Sequence, residues 1–256
     1  MKRSMGTALK LRRGIHILPN LFTTGSVFCG FYAFIAVSNE KFLVAAWAIV
    51  IAAVFDMLDG RIARLTKTTS AFGLQYDSIA DVISFGMAPA FLVYSWVLKP
   101  FGRMGWMAAF LYLLCGALRL ARFNVTKPDV KDNQFIGLPI PSAAVMIASI
   151  VIVFGKMMDH RPMFMAAVVY FLAFLMVSNI RYPSFKKLEL KQRVTFTRFL
   201  FVVLIFYVFA TIPQIALFMF CATYTLLGPT RVLISFVNNK LHPEPREESP
   251  SDLKNP

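Results

Sequence analysis

The stretch FLVAAWAIVIAAVFDMLDGRIAR, residues 42–64, opens with fourteen uncharged, mostly apolar residues and then runs, without a turn signal, into Asp56, Asp59, Gly60, Arg61 and Arg64. A membrane-spanning helix needs about 20 largely apolar residues. This run reaches that length only by drawing aspartates into the helix. The next run, Val82–Leu98, is short in the same way and makes the same demand on Asp77 and Asp81. The rest of the chain has the same character: of 256 residues, 57% are hydrophobic and 16% charged, and mean hydropathy is +0.62. A soluble domain carries roughly 25% charged residues, so this chain lacks the charge to cover a water-facing surface and belongs in a bilayer.

Further charge-free runs span Gly14–Asn39, Met104–Leu118, Asn133–Gly155, Pro162–Ile180 and Phe199–Thr230. As one helix the last would be about 48 Å long at about 1.5 Å per residue, too long for a hydrocarbon core of about 30 Å. It reads as a hairpin turning at Thr211-Ile212-Pro213-Gln214. The fold predicted is all-α, a polytopic membrane helical bundle of about eight transmembrane helices over residues 14–236. A basic cytoplasmic segment, 1–13, precedes it, and a polar, proline-rich stretch, 237–256, follows as a disordered tail. The first run is too long for the apolar part of a signal peptide and carries Pro19-Asn20 near its start, so it is expected to remain as the first span.

With the N-terminus inside, 22 of the 27 basic residues fall on the inner side, leaving Lys41, Lys99, Arg103, Lys156 and Arg161 outside. That asymmetry sets the expected orientation: an integral protein of a bacterial inner membrane, with the N-terminus and the acidic residues at the cytoplasmic face. The net charge of +14 would suggest nucleic acid for a soluble protein. In a bilayer it points instead to anionic headgroups and anionic lipid substrates, with no nucleic-acid partner. Cys29, Cys115 and Cys221 stand apart in apolar runs, with no disulfide framework or metal-ligand spacing.

An ionised carboxylate at membrane depth costs several kcal/mol unless it faces water, a cation or a partner. Asp56, Asp59, Gly60 and Ala63 lie at i, i+3, i+4 and i+7, one face of a helix. Asp77, Ala80, Asp81 and Ser84 repeat the pattern on the next helix, with Gly73 one turn earlier. The short link makes the two helices antiparallel neighbours, so their acidic ends meet at one membrane face. No Lys or Arg interrupts either face. Oxygen ligands without His or Cys favour Mg²⁺ or Mn²⁺, and a pair of such ions stabilises both the attacking and the leaving oxygen of a phosphoryl transfer. Gly60 and Ala63 let a nucleotide approach the backbone, whereas Gly73 is assigned to helix packing. Acids lining the ion path of a transporter would sit nearer the midplane.

Asp56-Met57-Leu58-Asp59-Gly60-Arg61-Ile62-Ala63-Arg64, followed at fixed spacing by Gly73, Asp77 and Asp81, resembles the signature of the CDP-alcohol phosphatidyltransferases, integral membrane enzymes that attack a CDP-linked lipid with an alcohol and release CMP. The resemblance implies that Asp56, Asp59 and Asp77 hold divalent metals, and that Asp81 shares a metal and acts as catalytic general base. It places Gly60, Ala63, Arg64 and Ser70 at the cytidine diphosphate. Pro19-Asn20-Leu21-Phe22-Thr23 is similar to the family's nucleotide-contacting segment, which adds Asn20 and Thr23. A homodimer is a further family expectation.

Flanking segments resemble the phosphatidylserine synthase branch: Ser84-Phe85-Gly86-Met87-Ala88-Pro89-Ala90, Leu118-Arg119-Leu120-Ala121-Arg122-Phe123-Asn124, Gly137-Leu138-Pro139-Ile140-Pro141-Ser142-Ala143-Ala144 and Asn179-Ile180-Arg181-Tyr182-Pro183-Ser184. The likeness implies CDP-diacylglycerol and L-serine as substrates. Inositol, glycerol 3-phosphate and choline are the alternative acceptors. Arg119 and Arg122 stand one helical turn apart and suit the lipid phosphate or the serine carboxylate, with Asn124 beside them; Arg181 is read the same way. Helix-end anchoring in headgroups would use the same arginines. Tyr76 departs from the branch, which places an aliphatic residue before the third aspartate.

Overall fold

A computed structural model describes residues 17–66, 70–125, 134–155 and 162–183 and, with gaps, 200–241. Its elements are α1 (Ile17–Ser38), α2 (Phe42–Thr66), α3 (Ala71–Phe101), α4 (Arg103–Val125), β1 (Gln134–Ile136), α5 (Ile140–Phe154), α6 (Pro162–Val177), β2 (Arg181–Pro183) and α7 (Pro213–Leu241). Five of these helices are long and apolar enough to cross a membrane, and α5 and α6 are shorter apolar helices. The fold is an all-α polytopic membrane bundle, and α2 and α3 absorb their aspartates as their short apolar runs require. The basic segment 1–13, Lys67, the basic residues of 126–133 and the end of the tail lie outside the described residues.

The interior is apolar, as in a soluble protein, but the surface is apolar too, as lipid demands. Phe28, Phe31 and Ile35 of α1 and Met163, Phe164 and Phe174 of α6 are exposed, a surface that hydrocarbon covers at no cost. At the centre, α5 buries Ile140, Ala143, Ala144, Ile147, Ala148 and Val151 and touches α2, α3, α4, α6 and α7. Its small residues let backbones approach closely where no hydrophobic driving force exists between helices. Ser84 Oγ donates to the Ser26 carbonyl at 3.0 Å, joining α3 to α1 through a buried polar contact.

Three expectations from the sequence need correction. Asn133–Gly155 is not one span: Gln134–Ile136 pairs antiparallel with Arg181–Pro183, Phe135 opposite Tyr182, and the helix begins only at Ile140. Gly137 sets that boundary with φ +76°, its N–H donating to the Ile180 carbonyl at 2.8 Å. A Cβ there would lie 2.3 Å from the Met176 carbonyl oxygen, so the turn admits only glycine. Second, Pro162–Ile180 gives a helix ending at Val177, because Ile180 and Arg181 are drawn into the ribbon. Third, the final run does break at Ile212, before Pro213, but α7 then continues through Pro229 to Leu241. Thr230 therefore does not end it, and the first five residues assigned to the tail are helical.

Candidate active site

Ser70 caps α3 by accepting the Gly73 N–H at 2.9 Å, which fixes where the helix starts relative to the end of α2. Seven residues on, Asp77 reaches α2: one carboxylate oxygen each from Asp56, Asp59 and Asp77 lie within 4.8 Å of one another. Asp81, one turn deeper, comes within hydrogen-bonding reach of Asp56. Immediately after it α3 widens into a π-turn over Val82–Met87, a distortion common at functional sites. Tyr112 of α4 donates its hydroxyl to the Phe85 carbonyl inside that turn at 3.1 Å, tying α4 to the same level.

α1 supplies the third wall. Thr23, 5% exposed, donates to Asp59 Oδ2 at 2.8 Å, with the Pro19 carbonyl as a second acceptor at 3.2 Å. Thr24 and Tyr76 share a hydroxyl hydrogen bond of 3.0 Å, so consecutive threonines hold α2 and α3 from one side. Asn20, Thr23, Gly60, Ala63, Arg64 and Ser70 all line a single cavity of about 450 Å³, together with Asp59 and Asp77. Pro19, Ala71, Gly73 and Leu74 line it too. Gly73 is thus both a wall of the cavity and a packing residue, since a Cβ there would stand 3.1 Å from Ser70 Oγ and 3.6 Å from Asn20 Oδ1. A Cβ on Gly60 would meet only the Arg64 guanidinium, at 3.8 Å; the backbone there is open to a ligand.

Arg64 acts electrostatically on Asp59 at one end of the cluster, and Arg119 on Asp81 at the other. When all four carboxylates are ionised, the two guanidiniums leave two negative charges uncompensated. Asp77 Oδ1 is buried with no hydrogen-bond partner. An all-oxygen donor set with spare negative charge and an orphaned carboxylate oxygen fits hard divalent cations.

The four arginine and asparagine positions beyond this cluster separate in space. Arg119 is 8% exposed and faces the Asp81 end. Arg122 is exposed and donates Nη2 to Asn179 Oδ1 at 2.8 Å, while Asn124 donates to Ser78 Oγ at 2.9 Å, closing α4 onto α3. Arg181 lies exposed on β2 opposite Ile136. In the sequence Tyr182 stands out only within the segment 179–184 and Tyr224 not at all, although a tyrosine buried in apolar surroundings signals a hydroxyl with a partner. Their rings meet at 5.7 Å.

Residues 16–178 match the family model described as CDP-alcohol phosphatidyltransferase. The chain is similar to proteins named CDP-diacylglycerol–serine O-phosphatidyltransferase from three distant organisms. It is 40% identical to that of Helicobacter pylori strain 26695 over 227 residues, 87% of this chain and 94% of the relative. The protein of Methanocaldococcus jannaschii is 35% identical over 181 residues, 70% of this chain and 80% of the relative. That of Bacillus subtilis strain 168 is 34% identical over 173 residues, 68% and 93% respectively.

Proposed function

The chain belongs to the CDP-alcohol phosphatidyltransferase family, and from that premise we propose that it transfers the phosphatidyl group of CDP-diacylglycerol to the hydroxyl of L-serine, giving phosphatidylserine and CMP. The observation that carries the reading is the cluster of three carboxylates within 4.8 Å of one another, two of which, Asp59 and Asp77, line a cavity that the small residues Gly60, Ala63 and Gly73 help to wall. The names of the relatives supply the donor and the acceptor.

In this reading Asn20, Thr23, Gly60, Ala63, Arg64 and Ser70 seat the cytidine diphosphate, with Gly60 admitting it close to the α2 backbone. Asp56, Asp59 and Asp77, with Asp81, hold two ions, Mg²⁺ or Mn²⁺. Such ions, when bound, neutralise charge on the pyrophosphate and its leaving oxygen. Thr23 orients Asp59 through its hydroxyl. Asp81 takes the proton of the serine hydroxyl as the serine oxygen forms its bond to the lipid-linked phosphorus. The bond from that phosphorus to the CMP oxygen breaks, and CMP leaves with its electron pair. Arg119, at the Asp81 end of α4, faces the acceptor and lipid phosphate.

Topology supports eight spans and a cytoplasmic site. β2 ends at the membrane face that holds the acids, whereas α7 starts at the opposite face, where Phe218 meets Phe154 edge-on at 5.2 Å. That placement of the two ends supports one further crossing, and with it the count of eight. The distribution of basic residues along the sequence, with 22 of 27 on the inner side, argues for a cytoplasmic site in the inner membrane of a bacterium.

The test is CMP release by detergent-purified protein given CDP-diacylglycerol and Mg²⁺ or Mn²⁺, with L-serine, inositol, glycerol 3-phosphate or choline. Serine-dependent release that EDTA abolishes and added metal restores supports the proposal. Release with another alcohol only would keep the family and overturn serine as the acceptor.

A further inference from the structure

Arg119 is the one buried cation at the Asp81 end of the site among the described residues, and its Nε is buried without a hydrogen-bond partner. A guanidinium in that state is costly to leave unmatched. Asp81 and Tyr224 of α7 both lie within its electrostatic range. Thr225, the next residue of α7, is 3% exposed, and its Oγ1 is likewise buried without a partner. Two helices far apart in sequence thus each carry an orphaned polar atom at this end of the bundle.

α7 is held there by design of its surroundings. Tyr182 packs its ring on Tyr224 and donates its hydroxyl to the Thr225 carbonyl at 3.1 Å. Burial pushes that hydroxyl up to about 12, so it remains a neutral donor throughout the physiological range. β2 in turn is fixed by β1 and by the Gly137 turn. None of Tyr182, Tyr224 and Thr225 lies within residues 16–178, the part that matches the family model.

We propose that Arg119, with Tyr224 and Thr225, forms the subsite for the anionic group of the acceptor alcohol, so that α7 selects a carboxylate-bearing alcohol beside Asp81. Arg119 binds the carboxylate through its free N–H and Tyr224 positions the guanidinium. This rests on the serine reading above and deepens it. Arg122, already committed to Asn179, and Asn124, committed to Ser78, serve to close α4 rather than to bind.

The experiment compares L-serine with L-serine methyl ester, which keeps the hydroxyl and amine and loses the anion, at fixed CDP-diacylglycerol. Wild-type protein should prefer serine. Arg119→Gln should raise the KM for serine by at least ~10-fold, as expected for one lost charge-assisted hydrogen bond, and erase the preference over the ester. The KM for CDP-diacylglycerol should stay within about twofold. Tyr224→Phe, which keeps the ring on Tyr182, should raise the serine KM by ~3-fold or more with a much smaller effect on kcat. An unchanged serine-to-ester ratio in both variants, with wild-type protein active on serine, would overturn this inference alone. Wild-type protein inactive on serine would overturn both readings.

Discussion

The two ends of the site are built in opposite ways. At the nucleotide end, Asp59 on α2 and Asp77 on α3 open onto a cavity, Asp59 is hydrogen-bonded by Thr23 of α1, and all three helices come from residues 17–101. At the acceptor end, Arg119 and Thr225 are shut away from solvent with unused hydrogen-bonding atoms, and they lie 106 residues apart in the chain. In the proposed reaction the open end admits a large, highly charged nucleotide and exchanges it for CMP. The closed end has only to recognise a small molecule, and burial makes each polar contact there more discriminating.

Substitutions should therefore separate the ends by the substrate they disturb. Asp81, where the ends meet, is the most sensitive: Asp81→Asn should lower kcat by ~10² to 10⁴-fold while elution on gel filtration and helical circular dichroism stay those of the parent. Next, Thr23→Val removes the donor to Asp59 and should cost about 10-fold in activity at limiting metal. Added Mn²⁺ should restore much of it, and the serine KM should not move. A smaller effect, confined to the other end, is expected of Gly228→Ala. Its Cβ would lie 2.3 Å from the Tyr182 ring, and displacing Tyr182 and Tyr224 should raise the serine KM about fivefold with the KM for CDP-diacylglycerol unchanged. Smallest is Tyr76→Phe, which loses the Thr24 contact on the lipid side of α1 and should cost about twofold, seen as a modest rise in the metal concentration for half-maximal activity. If Gly228→Ala and Thr23→Val each shifted both substrates equally, the two ends would not be separable.

The same contrast explains what the sequence made legible. Helical periodicity is local, so Asp56, Asp59, Gly60 and Ala63 could be placed on one face from spacing alone. The six expected nucleotide-side residues all line one cavity because each lies within two turns of an acidic one or at the start of α1. The ribbon escaped notice because Gln134–Ile136 is three residues long and lies inside a charge-free run, where uncharged strand and uncharged helix read alike. Its partner is 45 residues onward, beyond two helices. The reach of α7 through Pro229 was hidden for a different reason. Proline reads as a stop in water, yet a helix in a bundle tolerates it when neighbouring groups satisfy the freed backbone. Tyr224 carried no motif at all, and its place beside Arg119 is set by contacts between distant segments.

The order of the elements also has a consequence for how the protein is made. α1, α2 and α3, with Ser70 just before the last, emerge first and contain all four aspartates of the site and the residues lining the cavity beside them, so that half of the site is complete when about two fifths of the chain has been inserted. β1 has to wait for β2, and Arg119 waits longer still, until α7 is threaded past Tyr182. A nascent chain thus acquires the cavity beside Asp59 and Asp77 well before the contacts that enclose Arg119, and under the proposed function a truncation between Pro183 and Pro213 is expected to bind CDP-diacylglycerol without discriminating the acceptor.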